Sequence, residues 1–374
     1  MMASRPSLTL SVLGLEPGDG DAGQPAWTWP PGLASRGALP ALLDGRFEPG
    51  HAGDHDIEDC HRDDPDRRAL RAAGLAEETD ALERALGDWR LAGGDRDGFA
   101  RRLAEWRERG YQRIAAFDPV HLKAETDHAI TFGPRFLDLE TDDLDELLAS
   151  MNPWLATDGM RAERIGTQVY LLAERRDDGV GPAAASLARA GAPLACLLNR
   201  NAGVFIDEQR SEPVLRQWLT ELQMWLYPQP LNDRRAARGQ PILSSFWPHG
   251  LCNLSPELPV GESAEGRLLT DSPALLARIE ASTPWSATDT SVAAQALRDG
   301  TSVQVVLTET GWCRLEGDLG GFQQAVQYID AWLAELQEAA PRVSIELNDG
   351  RGGRWWPRPA WQRLLARLRG AGRT

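Results

Sequence analysis

The sequence predicts an α/β protein whose two ends alternate strands with helices around a mixed α+β middle. Three observations carry this. Ser7 to Leu15 is an apolar, β-leaning opening run, and Val303 to Leu307 and Val343 to Leu347 are two more near the end of the chain. Between those last two, Gly321 to Leu336 repeats Phe322, Val326, Ile329 and Leu333 at helical spacing. A chain of 374 residues suits two domains, or one domain with a large insertion.

After the opening strand, a Gly/Pro/Asp stretch predicts a loop, and Ala38 to Leu43 starts a short helix. Phe47 to Asp66 is acidic and carries His51, Asp54, His55, Asp56 and His61. That cluster raises a metal site, but its spacing matches no standard ligand motif, and a solvated loop is the simpler reading. Ala69 to Arg109 holds two helical patterns, with Leu75, Leu82 and Leu86 on one face, then Phe99, Leu103 and Trp106. Tyr111 to Phe117 reads as a strand entering Asp118-Pro119-Val120-His121-Leu122, with Ala129 to Phe132 paired back on it. Asp142 to Asn152 is an acidic amphipathic helix, Gln168 to Leu172 a strand, and Val214 to Tyr227 a helix with a leucine stripe. The terminal run from Trp361 to Arg369 reads as an amphipathic helix, preceded by an aromatic anchor at Trp355 and Trp356.

Composition excludes some functions. A net charge of -15 opposes a nucleic-acid partner, because phosphate neutralisation needs a basic field. The basic stretch from Arg351 to Arg373 is a local exception. No apolar run approaches the roughly 20 residues that cross a bilayer. The start MMASRP lacks the pattern of a signal peptide, which points to the cytoplasm. Cys60, Cys196, Cys252 and Cys313 form no CxxC pair, so reduced thiols are expected.

The most informative stretch is Leu219 to Gly250. An amphipathic run leads to a turn holding Asn232, then Arg234, Arg235 and Arg238 before Gly239, then Ser244-Ser245-Phe246-Trp247 and Pro248-His249-Gly250. Guanidinium forks match phosphate and carboxylate geometry. By residue type alone, a solvated arginine face is the commoner arrangement. Asp118 with His121 is a candidate acid/base pair, though a structural hydrogen bond is the plainer reading. His249 is the best lone histidine for a site role. Gly317 to Gly321 before a helix is an entry turn rather than a phosphate loop.

The same stretch resembles the archaeal-type cofactor-independent phosphoglycerate mutases, and more closely their bacterial relatives described as RpfE-type regulatory proteins. The resemblance rests on Thr220 to Met224, Pro230-Leu231-Asn232, Arg235-Ala236-Ala237-Arg238-Gly239 and Ser244 to Trp247, with Asp118 to Leu122 as a second segment. It departs at Pro228-Gln229 and Ser244, where the family carries His and Asn. The resemblance implies an alkaline-phosphatase-like α/β sheet with helices on both faces, built by residues 1–110 and 255–374. An α+β domain of residues 111–254 is inserted between them. Active members hold two metal ions with Asp and His to activate a serine.

Here the opening strand ends at Glu16, the segment after Leu307 carries no His, and no histidine follows His249. The reading is therefore a catalytically degenerate protein with a regulatory or anion-sensing role. Asn232, Arg235, Arg238 and His249 are its anion-binding candidates, and no cofactor is expected. Its partner would be a small phosphorylated or carboxylated metabolite, or a protein, with no membrane or nucleic acid involved. The alternative is an active metal-dependent mutase or phosphatase-type phosphotransferase, with Mn²⁺ or Mg²⁺ on the remnant ligands Asp19, Asp318 and Asp349. A third reading is a structural protein whose arginines make internal salt bridges.

Overall fold

The computed structural model describes residues 7–13, 64–73, 75, 80–124, 129–174, 193–199, 213–255, 257–258, 266–341 and 343–348, with backbone alone at 46–48, 213–216 and 354–356. In chain order, the first elements are β1 (Ser7–Val12), β2 (Arg46–Glu48), α1 (Pro65–Ala72), α2 (Ala81–Leu91) and α3 (Arg96–Glu108). Next come β3 (Tyr111–Ala124), β4 (Ala129–Phe132), α4 (Pro134–Leu137), α5 (Thr141–Ala156), β5 (Met160–Ile165) and β6 (Gln168–Glu174). The middle closes with α6 (Leu194–Leu197), α7 (Pro213–Leu226), α8 (Pro230–Ala237) and β7 (Ser245–Asn253). The last third holds β8 (Arg267–Thr270), α9 (Pro273–Arg278), β9 (Ser282–Pro284), α10 (Ser291–Arg298) and β10 (Val303–Leu307). It ends with α11 (Glu309–Glu316), α12 (Leu319–Ala339), β11 (Ser344–Asn348) and β12 (Arg354–Trp356).

Strands from both ends of the chain build one sheet in the order β2-β12-β11-β1-β10-β8-β9. From β11 to β9 it is parallel, and β12 and β2 add an antiparallel edge. One face carries Leu8, Leu10, Val12 and Val305 against Leu297 of α10 and Val326, Ile329 and Leu333 of α12. The other face carries Leu13, Leu268 and Val306 against Leu70 of α1 and Leu275 of α9. Both faces are covered by helices, which is why the strands read as continuous apolar runs.

A second, antiparallel sheet takes its strands from the middle of the chain, in the order β4-β3-β6-β5 with β7 also on β3. Its two faces bury different partners. Phe117, Leu171 and Phe246 pack on Leu147 and Met151 of α5 and Leu222 of α7. Ile114, Tyr170 and Leu172 pack on Leu82 and Leu86 of α2 and on Phe99 and Trp106 of α3.

The helix α2 thus belongs to both halves. It crosses α9 so closely that a Cβ on Gly87 would stand 2.0 Å from the Pro273 carbonyl oxygen. Arg90 on the same helix donates to the carbonyls of Ile279 (3.1 Å) and Ser282 (2.6 Å), which follow the end of α9.

Several expectations change. The turn expected around Asn232 is the helix α8, started by Pro230 at its first turn. The strand expected to stop before Asp118 runs on to Ala124. Pairing with β6 ends at Ala116, so Pro119 lies where β3 has β7 alone beside it, a place that tolerates a missing N–H. Cys196 is disulfide-bonded, which corrects the expectation of reduced thiols at that position, while Cys252 and Cys313 are free. The helices expected at Ala38 to Leu43 and Trp361 to Arg369, and the His/Asp run from His51 to His61, lie outside the described residues. Among those described, no helix is long and apolar enough to cross a membrane.

Candidate functional site

The arginine motif folds as an internal clamp. Asn232 is 4% exposed and makes three bonds: Nδ2 donates to the Leu226 and Leu243 carbonyls (both 2.9 Å), and Oδ1 accepts from the Leu243 amide (2.8 Å). Arg235 is 3% exposed; its Nε donates to the Pro241 carbonyl (2.6 Å) and its Nη2 to the Leu137 carbonyl. Arg234 pairs with Asp143 and Glu146 of α5, each at 2.9 Å. Arg238 is exposed at the end of α8. The expected anion clamp of Asn232 and Arg235 is therefore corrected: their polar atoms tie the end of α7, the loop before β7 and α4 together. Buried carbonyls and amides without partners would be costly, and these side chains supply the partners.

A cleft among the described residues lies elsewhere. A cleft of about 540 Å³ opens where Asp271, after β8, and Thr308 and Glu309, after β10, face Pro119, Arg135 and the β5–β6 turn of the antiparallel sheet. The carboxyl ends of parallel strands are where open α/β sheets bind ligands. Asp66, Asp88, Asp138, Asp271, Glu309 and Glu316 line this cleft, with Arg84 and Arg135. Among the described residues, acids outnumber cations there.

One wall is organised by Arg84. Asp118, 1% exposed, holds His249 Nε2 at 2.6 Å and Arg84 Nη1 at 3.5 Å on its Oδ2. The Tyr170 hydroxyl donates to Asp88 Oδ2, and the Ser272 hydroxyl to Asp66 Oδ1 at 2.7 Å. Burial, reinforced by Asp64, pushes Asp66 up to about 7. Burial does the same to Asp88, up to about 7, with Arg84 and Tyr170 pulling the other way. Burial also acts to raise Asp118, but Arg84 and the His249 bond outweigh it and hold this carboxyl below the usual range.

The opposite wall fastens the two sheets together. Arg135 of α4 forks onto both carboxylate oxygens of Glu309 on α11. Glu316, one helical face along, accepts from the amides of Arg135 (3.1 Å) and Phe136 (3.4 Å), and burial pushes it up to about 7. Asp271 accepts from the Thr308 amide (2.7 Å), the Thr308 hydroxyl (2.9 Å) and the Glu309 amide (3.1 Å), capping the start of α11. Burial raises Asp271 to about 6, while those amides pull it down.

His249 belongs to the Arg84 network and not to the Asn232 clamp. It lies six residues beyond Leu243 along β7, about 20 Å at strand rise. Asp118 pairs with His249 and not with His121, whose Nδ1 sits 2.8 Å from the Ile242 carbonyl oxygen. Of the remnant metal ligands, Asp19 and Asp349 lie outside the described residues, and Asp318 caps α12 through the Gly321 amide (2.8 Å). Among the described residues no group of three or more His, Cys, Asp or Glu could hold a metal ion.

Sequence reasoning missed Arg84, Asp88, Arg135, Asp271, Glu309 and Glu316. A usable signal existed: Arg84 and Asp88 stand at i and i+4 beside the apolar stripe of Leu82, Ala85 and Leu86, where a solvated pair is out of place.

No protein-family model matches this chain, and no curated protein does. Among solved structures, it is similar to the cofactor-independent phosphoglycerate mutase from Thermoplasma acidophilum DSM 1728, with 14% identity and a TM-score of 0.33, over 94% of this chain and 89% of that one. It is also similar to the PH0037 protein from Pyrococcus horikoshii, with 13% identity and a TM-score of 0.41, over 92% and 82% of the two chains.

Proposed function

We propose that this chain is a catalytically degenerate phosphoglycerate-mutase-like protein that binds a ligand without turning it over. Its receiving site is the cleft between the two sheets. In this reading residues 1–110 and 255–374 form the discontinuous core, and 111–254 the insert that closes over it. The observation that supports it best is the engagement of the acids that follow β8 and that stand at the two ends of α11. Asp271 caps α11, Glu309 holds Arg135, and Glu316 accepts two amides of α4. Carboxylates used this way fix the cleft's walls, whereas two-metal phosphoryl transfer needs them converging on open positions.

The ligand class is a small phosphorylated or carboxylated metabolite met in the cytoplasm. Such an anion would enter by replacing Glu309 on Arg135, since Arg135 carries a planar fork already engaging a carboxylate. Replacement opens the bond between α4 and α11, which is a means of signalling occupancy. The test is calorimetric titration with 3-phosphoglycerate and related anions, without metal, of the wild-type chain and of Arg135→Ala. We expect binding that Arg135→Ala abolishes. Equal binding by both proteins, or heat from neither, removes this cleft as the sensing site.

A further inference from the structure

Away from the cleft, one buried carboxylate gathers three arginines. Glu163 of β5 is 6% exposed, and four donors reach it. Its Oε2 accepts from the Trp106 indole of α3 at 2.9 Å and from Arg102 Nη2. Its Oε1 accepts from Arg161 Nε at 2.9 Å and from Arg109 Nη1 at 3.2 Å. A buried carboxylate requires hydrogen bonds and one counter-charge. Here three guanidiniums meet one carboxylate, a surplus of two positive charges in a chain whose net charge is -15.

The surplus sits on half-exposed side chains whose ends are held in place. Arg102, Arg109 and Arg161 are 36%, 51% and 38% exposed. Arg161 is engaged through Nε alone, so neither of its Nη atoms has a partner among the described residues. Arg109 is engaged through Nη1 alone, which leaves Nε and Nη2. Sharing Oε1 keeps these two guanidiniums side by side. Arg102 lies over the Trp106 ring, 5.6 Å from its centroid, and its Nη1 meets Glu105 at 3.3 Å. Like charges held this close repel, and an oxyanion received between them removes the repulsion. Forks already fixed lose little freedom when it arrives.

We propose that Arg102, Arg109 and Arg161 form a site for inorganic phosphate, with Glu163 as the residue that positions the forks. The dianion matches the surplus of two charges, and its tetrahedral oxygens suit guanidinium donors. Glu105 and Glu174 are exposed at the rim, Glu174 in register with Tyr111 beside Arg109 and Arg161. They oppose a larger ligand that brings a second negative group, such as 3-phosphoglycerate. The site is separate from the cleft: Arg161 stands five residues before Gly166 of the cleft-lining turn, about 16 Å at strand rise.

Equilibrium dialysis of the full chain against labelled phosphate, at pH 8 and constant ionic strength in chloride, tests this. Wild type should bind one phosphate with this affinity, R109A/R161A should bind it about tenfold more weakly or worse, and Arg135→Ala should bind it like wild type. Arg161→Lys keeps the charge but not the fork, and should weaken binding several-fold. In the Arg135→Ala chain, equimolar 3-phosphoglycerate should leave the bound phosphate in place. No phosphate on the wild-type chain overturns the site. So does full-strength binding by R109A/R161A or by Arg161→Lys, the latter serving if the double variant does not fold. Binding lost in Arg135→Ala instead assigns the phosphate to the cleft and overturns the proposal, and displacement by 3-phosphoglycerate refutes the selection for the bare ion.

Discussion

Replacing Asn232 with alanine separates a folding clamp from a ligand contact. The substitution strands the Leu243 carbonyl and the Leu243 amide, both buried and both bonded to this one side chain, while the Leu226 carbonyl keeps the Gln229 amide at 3.1 Å. An unsatisfied buried polar group costs about 1–3 kcal/mol, so two of them set a loss of about 2 kcal/mol even at the low end. Water reaching the loop would soften this, and the small cavity left by the amide would add to it. Urea unfolding followed by tryptophan fluorescence should move to a lower midpoint with little change in slope. Trp225 and Trp247 flank the clamp and report on it. Arg238→Ala, on the exposed end of α8, should stay within about 0.5 kcal/mol of wild type. If Asn232→Ala proves as harmless as Arg238→Ala, the clamp is wrong and Asn232 is free for a ligand.

Three further outcomes follow from the geometry. Gly87→Ala should lose about 1–3 kcal/mol or more, because its methyl would meet the backbone of Pro273 at 2.0 Å, and thermal unfolding measures this. Glu316→Gln keeps an acceptor for the Arg135 and Phe136 amides but removes a carboxyl raised from 4.5 to about 7. The wild-type contribution is full below the ordinary value and fades as pH rises through 7, so the variant should gain on wild type by about 1–3 kcal/mol at pH 8 and not at pH 4.5. Arg135→Ala should cost about 1 kcal/mol or less, since its pair with Glu309 is partly exposed, and that cost should shrink in high salt.

The strands Ser7–Val12, Val303–Leu307 and Ser344–Asn348 were legible because a sheet covered on both faces demands continuous apolar runs. The helix Leu319–Ala339 was legible from its buried stripe. Met160–Ile165 was not, because this short strand carries three charged residues: Glu163 and Arg164 find partners on α3 and α5, and Arg161 pairs with Glu163 along the strand itself. The helix Pro230–Ala237 was taken for a turn because its sequence shows no apolar period; it is set by Pro230 and by the bonds of Asn232 and Arg235.

The cleft was hidden for a different reason. Its residues come from segments as distant as Asp66 and Glu316, and no local spacing links them. Proximity in sequence suggested Asp118 with His121, whereas the register of β3 against β7 delivers His249, paired with Ala116, to Asp118. The expected cluster of Arg235 and His249 failed likewise, because β7 carries the histidine away from α8 along its length.

The proposal at stake is that Asp271, Glu309 and Glu316 brace the cleft walls instead of serving phosphoryl transfer. Incubation of the purified chain with 3-phosphoglycerate and Mn²⁺ or Mg²⁺, followed by phosphorus NMR, tests it most directly. The account predicts an unchanged spectrum with either ion. Conversion to 2-phosphoglycerate or release of phosphate, lost on Asp349→Ala, contradicts it.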